Sequence, residues 1–240
     1  MTMNHIQKIR SAVNGIPHNH NGHIIERRYF IAGSLASVFF GIGVPSLAKE
    51  MNWKMQKSAE NIDVLVEMET DYSMLQVTYL VKNRSNGPLF LFNILHNRPG
   101  PNGVYEIDEG CYVELGDKEA VISKKQLSLP FGVLLENKMV PFVTRVLSRG
   151  NFRQTFQVPI PLLRAVYYEE PKKRQADEQA TIDTMPVMFE LGYFFGKPGT
   201  DELARTFHTN KGDVIGFDPF PITSQKIISV GPFPEVPVLL

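Results

Sequence analysis

Ile62-Asp63-Val64-Leu65-Val66-Glu67-Met68-Glu69, followed after a polar gap by Leu75-Gln76-Val77-Thr78-Tyr79-Leu80-Val81-Lys82, sets the period of this chain at two. Ile62, Val64, Val66 and Met68 fall on one side of the first run, with Asp63, Leu65, Glu67 and Glu69 on the other. Leu75, Val77, Tyr79 and Val81 do the same in the second. Successive side chains of an extended strand point to opposite faces, so both runs predict half-buried β-strands. Asn83-Arg84-Ser85-Asn86-Gly87-Pro88 then supplies turn chemistry, and Leu89 to Leu95 is apolar enough for an interior strand. Arg98-Pro99-Gly100-Pro101-Asn102-Gly103 breaks the ladder and predicts a loop.

Working outward, the same alternation recurs in weaker form. Tyr112 to Leu115 and Ala120 to Ser123 flank Gly116-Asp117-Lys118, and Phe142 to Leu147 and Phe152 to Val158 flank Ser148-Arg149-Gly150-Asn151; each set predicts a hairpin. Pro159 and Pro161 cannot sit in a central ladder and mark an edge or a change of sheet. From Glu169 to Asp183 charge is dense and large apolar residues are scarce, which predicts a solvated loop, with a functional lid as the alternative. Val187 to Phe195 is the strongest strand, with Val187, Phe189, Leu191 and Tyr193 inward and Glu190 outward. Thr200 to Phe207 predicts one short helix, capped by Thr200 with Asp201 and Glu202 in its first turn. The tail from Ser229 to Leu240 carries alternate prolines yet is too apolar for water. It is expected to dock on its own sandwich rather than on a partner.

These readings give an all-β fold, an antiparallel β-sandwich with one short helix. The Val-x-Tyr-x-Val-x-Asn pattern at Val77 to Asn83 resembles immunoglobulin-like bacterial domains at the level of fold, without the Cys-Trp-Cys signature of antibody domains. Trp53 lies before the first strand of this reading. Such a resemblance implies an architecture and no site.

The N-terminus speaks to location. Arg27 and Arg28 stand directly before the apolar, glycine-studded run Tyr29 to Val44, which closes on Pro45-Ser46-Leu47-Ala48. As a helix, that run would rise about 24 Å, short of the roughly 30 Å hydrocarbon core, so a stable span is disfavoured. Ser46 and Ala48 are the small residues a signal peptidase needs, which places cleavage before Lys49 and makes residues 1–48 an export leader. Arg27-Arg28-Tyr29-Phe30-Ile31 resembles the core of a twin-arginine signal, departing from it at Glu26 and Ala32. That resemblance implies the twin-arginine machinery as a partner alongside the peptidase, ordinary Sec export being the alternative. Either route gives a periplasmic or extracellular protein.

Without Lys8, Arg10, Arg27, Arg28 and Glu26, the balanced 25 bases and 25 acids of the whole chain become a net charge near −3. A slightly acidic domain has no electrostatic footprint for nucleic acid. Residues 49–240 are most simply one β-sandwich domain, large enough for a real core. Its lone cysteine, Cys111, cannot form an internal disulfide. It is expected to be a small half-buried strand residue, with an intermolecular disulfide or reactive thiol as the alternative.

Signals for chemistry are sparse. His5, His18, His20 and His23 lie in the leader. His96 and His208 are widely separated and are expected at strand ends or on the surface, so neither predicts a metal site. No nucleophile elbow, zinc helix, phosphate loop or calcium loop occurs after residue 48. Asp108, Glu109, Glu114 and Glu190 offer carboxylates for glycoside hydrolysis, but only a measured separation gives such a pair meaning. No cofactor and no catalytic residue is assigned. The expected function is that of an exported, non-catalytic binding or accessory protein, the alternative being an exported hydrolase or carbohydrate-processing enzyme with dispersed carboxylates.

Overall fold

The computed structural model describes residues 51–96, 99–100, 102–128, 140–168, 181–197, 199–218, 220 and 222–240. The leader with Arg27, Arg28, Phe30, Ser46 and Ala48 lies outside them, as does most of the charged stretch at 169–183. The chain is an all-β sandwich. Its strands are β1 (Met51–Ala59), β2 (Ile62–Thr70), β3 (Met74–Asn83), β4 (Leu89–His96), β5 (Ile107–Asp108), β6 (Tyr112–Leu115) and β7 (Ala120–Lys124). They continue with β8 (Phe142–Val146), β9 (Asn151–Pro159), β10 (Ile182–Phe195), β11 (Ala204–Thr209), β12 (Gly212–Phe217) and β13 (Lys226–Leu239). One sheet has the order β1-β2-β3-β9. The other runs β11-β12-β8-β4-β10-β7-β6, with β13 on the far edge of β10 and β5 on β4. All pairings between named strands are antiparallel except β10 with β7.

The alternation that opens the sequence faces the main core as expected. Ile62, Val64, Val66, Met68, Leu75, Val77, Tyr79 and Val81 are all fully buried, opposite Val187, Phe189 and Leu191 of β10. Each such side chain contributes roughly 1.5–3 kcal/mol relative to exposure. The outward face of the small sheet is polar and cross-linked by side chains, for example Lys54 to Glu67 at 2.5 Å and Thr78 to Thr155 at 2.8 Å. Opposite charges directly across a ladder favour this register.

A second apolar layer covers the other side of the large sheet. Phe90, Phe92, Phe194 and Phe217 gather there, with Phe90 stacked on Phe194 at a centroid distance of 4.9 Å. Because β4 feeds both layers, Leu89 and Leu91 inward and Phe90 and Phe92 outward, it reads as a continuous apolar run.

Three expectations are revised. Phe142–Val146 and Asn151–Pro159 are strands, but they belong to different sheets, so the turn between them is an arch and not a hairpin. Buried Asn83 fixes it: Nδ2 donates to Gly87 O at 2.8 Å and Leu147 O at 3.0 Å, while Oδ1 accepts from Ser85 N at 2.9 Å. The helix expected over Thr200 to Phe207 is a single 3₁₀ turn, Thr200–Leu203, after which Ala204–Thr209 pairs with β12. Trp53 lies inside a strand, β1, which the sequence reading did not include. His96 ends β4, one of the two placements expected of it, and is buried.

The tail docks on its own sandwich. β13 pairs along β10 with register shifts near Pro186 and Val187, and Phe233, Val236 and Val238 are buried. Past Pro159 the chain does change sheet, as its prolines suggest: Ile160 N donates to Ser73 O at 2.8 Å, and Leu162 N donates to Pro237 O at 2.8 Å.

Candidate functional site

The long strand β10 shares one edge between two neighbours. β4 pairs with Tyr193–Phe195, and β7 takes Val187–Leu191. β4 also shifts register against β8 between Leu91 and Ile94, so Asn93 falls in the gap of both ladders. Backbone groups stranded inside a protein need other partners, and Lys124 at the end of β7 meets that need on the inner face, while its neighbour Lys125 binds carboxylates on the other.

On the inner face Lys124 is fully buried. Its Nζ donates to Asn93 O at 3.4 Å and Glu109 O at 3.3 Å and lies 4.9 Å from the centre of the Phe156 ring. Burial pushes this amine down to about 8, against the opposing fields of Cys111, Asp108 and Glu109. Beside it, Tyr79 donates its hydroxyl to Gln154 Oε1 at 2.5 Å, and Asn93 Nδ2 donates to the same oxygen at 3.1 Å. Asn93 Oδ1 is buried and has no hydrogen-bond partner among the described residues. Burial raises the Tyr79 phenol far above its ordinary value. Cys111 stands just before β6, half-buried as expected, its thiol pushed by burial up to about 12. A thiol held in that state is a poor nucleophile.

On the outer face Lys125 Nζ lies 2.9 Å from Glu114 Oε1 and 2.6 Å from Glu190 Oε2, and Ser229 donates its hydroxyl to Glu190 at 2.9 Å. Burial works against the lysine's charge, but the two carboxylates outweigh it and raise its proton affinity. Next to it Gln225 acts as a surrogate strand: its Oε1 accepts from Gln126 N at 2.8 Å, and its Nε2 donates to Gln126 O at 2.9 Å. Gly192 makes room for this amide, since a Cβ there would stand 2.2 Å from Gln225 Oε1. A cavity of about 20 Å³ lies alongside, bounded by Phe92, His96, Tyr112, Gln126 and Tyr167. That is room for a water and no more. His96 there has Nε2 2.6 Å from Val140 O and packs on Phe142.

The four carboxylates of the sequence reading therefore divide. Glu114 and Glu190 meet through Lys125. Glu109 binds Lys211, and Asp108 accepts from Gly110 N at 2.7 Å. His208 is exposed and paired with Asp213 at 2.7 Å, on a different hairpin from His96. No group of three His, Cys, Asp or Glu residues stands close enough to hold a metal ion among the described residues.

A wider concavity lies elsewhere, where the loop before β5 meets the turn between β11 and β12. It is an open hollow of about 500 Å³ lined by Gly100, Asn102, Val104, Glu106 and Asn210. Main-chain bonds hold it: Tyr105 N donates to His208 O at 3.1 Å, Asn210 N to Tyr105 O at 3.0 Å, and Gly100 N to Val104 O at 2.9 Å. Asn210 Oδ1 also accepts from Ile107 N at 3.0 Å. In the sequence this stretch shows only as a loop, because the partners that shape it come from residues about a hundred positions later.

Comparison with known proteins identified no matching family model, no matching curated protein and no matching solved structure.

Proposed function

We propose that residues 49–240 form an exported, non-catalytic binding protein, and that the hollow beside Asn102, Glu106 and Asn210 takes a polar ligand. The observation that carries this reading is the composition of that hollow. Its volume falls in the range that small ligands occupy, and it offers two carboxamides, one carboxylate and exposed backbone rather than a pair of acid–base groups. Amides and a carboxylate on a braced loop suit hydrogen bonding to hydroxyl or amide groups, the chemistry of a saccharide or an extended peptide. A thermal-shift screen of residues 49–240 against soluble oligosaccharides and short peptides tests it. The expected result is a compound that raises the melting temperature of the wild type and not of Glu106→Gln or Asn102→Ala. Stabilisation that survives both substitutions, or no stabilising compound in either class, refutes it.

The second reading is an exported hydrolase or carbohydrate-processing enzyme. Its support is the convergence of Glu114 and Glu190 on one point. Binding is preferred because the Lys125 ammonium occupies that point, where a water or a glycosidic oxygen would have to stand. Turnover of a glycan in the same panel, lost on Glu190→Gln, would reverse the preference.

A further inference from the structure

Lys124 and Asn93 pose a problem that packing alone does not answer. A lysine sealed between two sheets normally finds a carboxylate, because an unpaired buried ammonium is costly. Here its hydrogen bonds are two long ones to backbone carbonyls, Asn93 O at 3.4 Å and Glu109 O at 3.3 Å. The carboxylates nearest along the chain are engaged elsewhere: Asp108 by Gly110 N and Glu109 by Lys211. The carboxamide of Asn93 lies on the same inner face, with Nδ2 held by Gln154 and Oδ1 buried without a partner. A buried amine and a buried carboxamide, on residues that touch through Lys124 Nζ and the main-chain carbonyl of Asn93, are the two reactants of an acyl transfer.

We propose that Lys124 and Asn93 form an intramolecular isopeptide bond, a covalent tie between β7 and β4 where the edge of β10 passes from one to the other. Lys124 Nζ, as the free amine, attacks Asn93 Cγ. The Cγ–Nδ2 bond breaks, one proton passes from Nζ to Nδ2, and ammonia leaves. No oxidant, reductant or co-reactant is needed. Three features of the site favour the step. Burial holds the amine at about 8 rather than near its ordinary 10.5, so the nucleophilic form is present at neutral pH. The contact of Lys124 Nζ with the main chain of Asn93 makes the encounter intramolecular rather than bimolecular. Water is kept from Asn93, which is almost fully buried, so hydrolysis does not compete. The product amide needs no charge in the core, which removes the burial cost of the ammonium. In a chain whose single cysteine cannot close a disulfide, it is also a chemically available internal staple.

Intact-mass measurement of the full chain, read against its own determined N-terminus, tests this directly. Fresh protein and protein aged at pH 8–9 should be lighter than the sequence by one ammonia. Tryptic digestion should give one branched peptide joining the segments that contain Asn93 and Lys124, with no cleavage after Lys124. Lys124→Arg should restore the full sequence mass. Asn93→Asp should lose one water in place of ammonia and give the same branched peptide. Full sequence mass in fresh and aged wild-type protein overturns the proposal. So does loss of ammonia that persists in Lys124→Arg, which would indicate cyclisation of an asparagine on its own backbone. The wild-type digest decides the question even if neither variant folds.

Discussion

Phe189 and Glu190 are neighbours on one strand, and comparing their alanine variants tests which face of β10 is the core. Phe189 is fully buried, its ring centre 5.1 Å from that of Tyr79 and 6.4 Å from that of Phe156. Truncation at such a site costs about 3–5 kcal/mol through lost transfer energy and the cavity left behind, the ring pairs contributing to that loss. Glu190 points the other way. Its removal leaves Lys125 with Glu114 still 2.9 Å away and releases the Ser229 hydroxyl, so about 1–2 kcal/mol is expected. That is more than the small cost expected of a solvated outward residue, because Lys125 is only 12% exposed and depends on its partners. Urea midpoints, followed by the fluorescence of the single tryptophan, Trp53, separate these cases, provided the slope of the transition is unchanged. A loss at Glu190→Ala equal to or larger than at Phe189→Ala would mean that the strand is flipped and the sheet register wrong.

Asn83→Ala should destabilise by about 2–4 kcal/mol, since it strands several buried carbonyls of two turns; a melting shift no larger than that of a surface substitution would remove Asn83 as the arch's anchor. Cys111 titrates at about 12 when folded against an ordinary 9, so between those values the unfolded chain releases a proton that the folded chain keeps, and stability falls as pH rises. Cys111→Ala should flatten that alkaline decline in chemical denaturation, and an unchanged slope would show that the thiol is not sealed. On the twin-arginine reading, replacing Arg27 and Arg28 by Lys blocks export, because lysine lacks the planar guanidinium pair; undiminished export, assayed by fractionation, would favour the Sec route.

What could be read from sequence follows from which strands are buried on one face. β2, β3 and β10 up to Leu191 alternate because one side meets the core and the other is polar or partly exposed. β1 does not: Asn52 and the residues from Lys54 to Ser58 are exposed on both faces, so no apolar period remains to be seen. The arch was misread because Ser148-Arg149-Gly150-Asn151 is good turn chemistry for a hairpin and an arch alike. The decision is made by the Asn83 side chain, more than sixty residues away. β11 was misread as helix because Thr200, Asp201 and Glu202 do open a 3₁₀ turn, and only pairing with Gly212–Phe217 makes the following residues a strand. The hollow and the Lys124 chamber were invisible for a shared reason. Their polar partners are largely backbone atoms, which every sequence contains.

The adjacent lysines show how much a single step along a strand can matter. Strand geometry sends Lys124 inward and Lys125 outward, although nothing in Ser123-Lys124-Lys125-Gln126 distinguishes them. Both stand where β10 exchanges one neighbour for another. Outside, carboxylates can reach the break, and Lys125 becomes the centre of a partly buried ion-pair network. Inside, a carboxylate would itself be a buried charge, so the break is left with carbonyls, one carboxamide and an amine. The proton affinities of the two lysines move in opposite directions for that reason, up at Lys125 and down at Lys124. The group whose charge is favoured serves as a structural cation, and the group whose charge is disfavoured is the one available as a nucleophile.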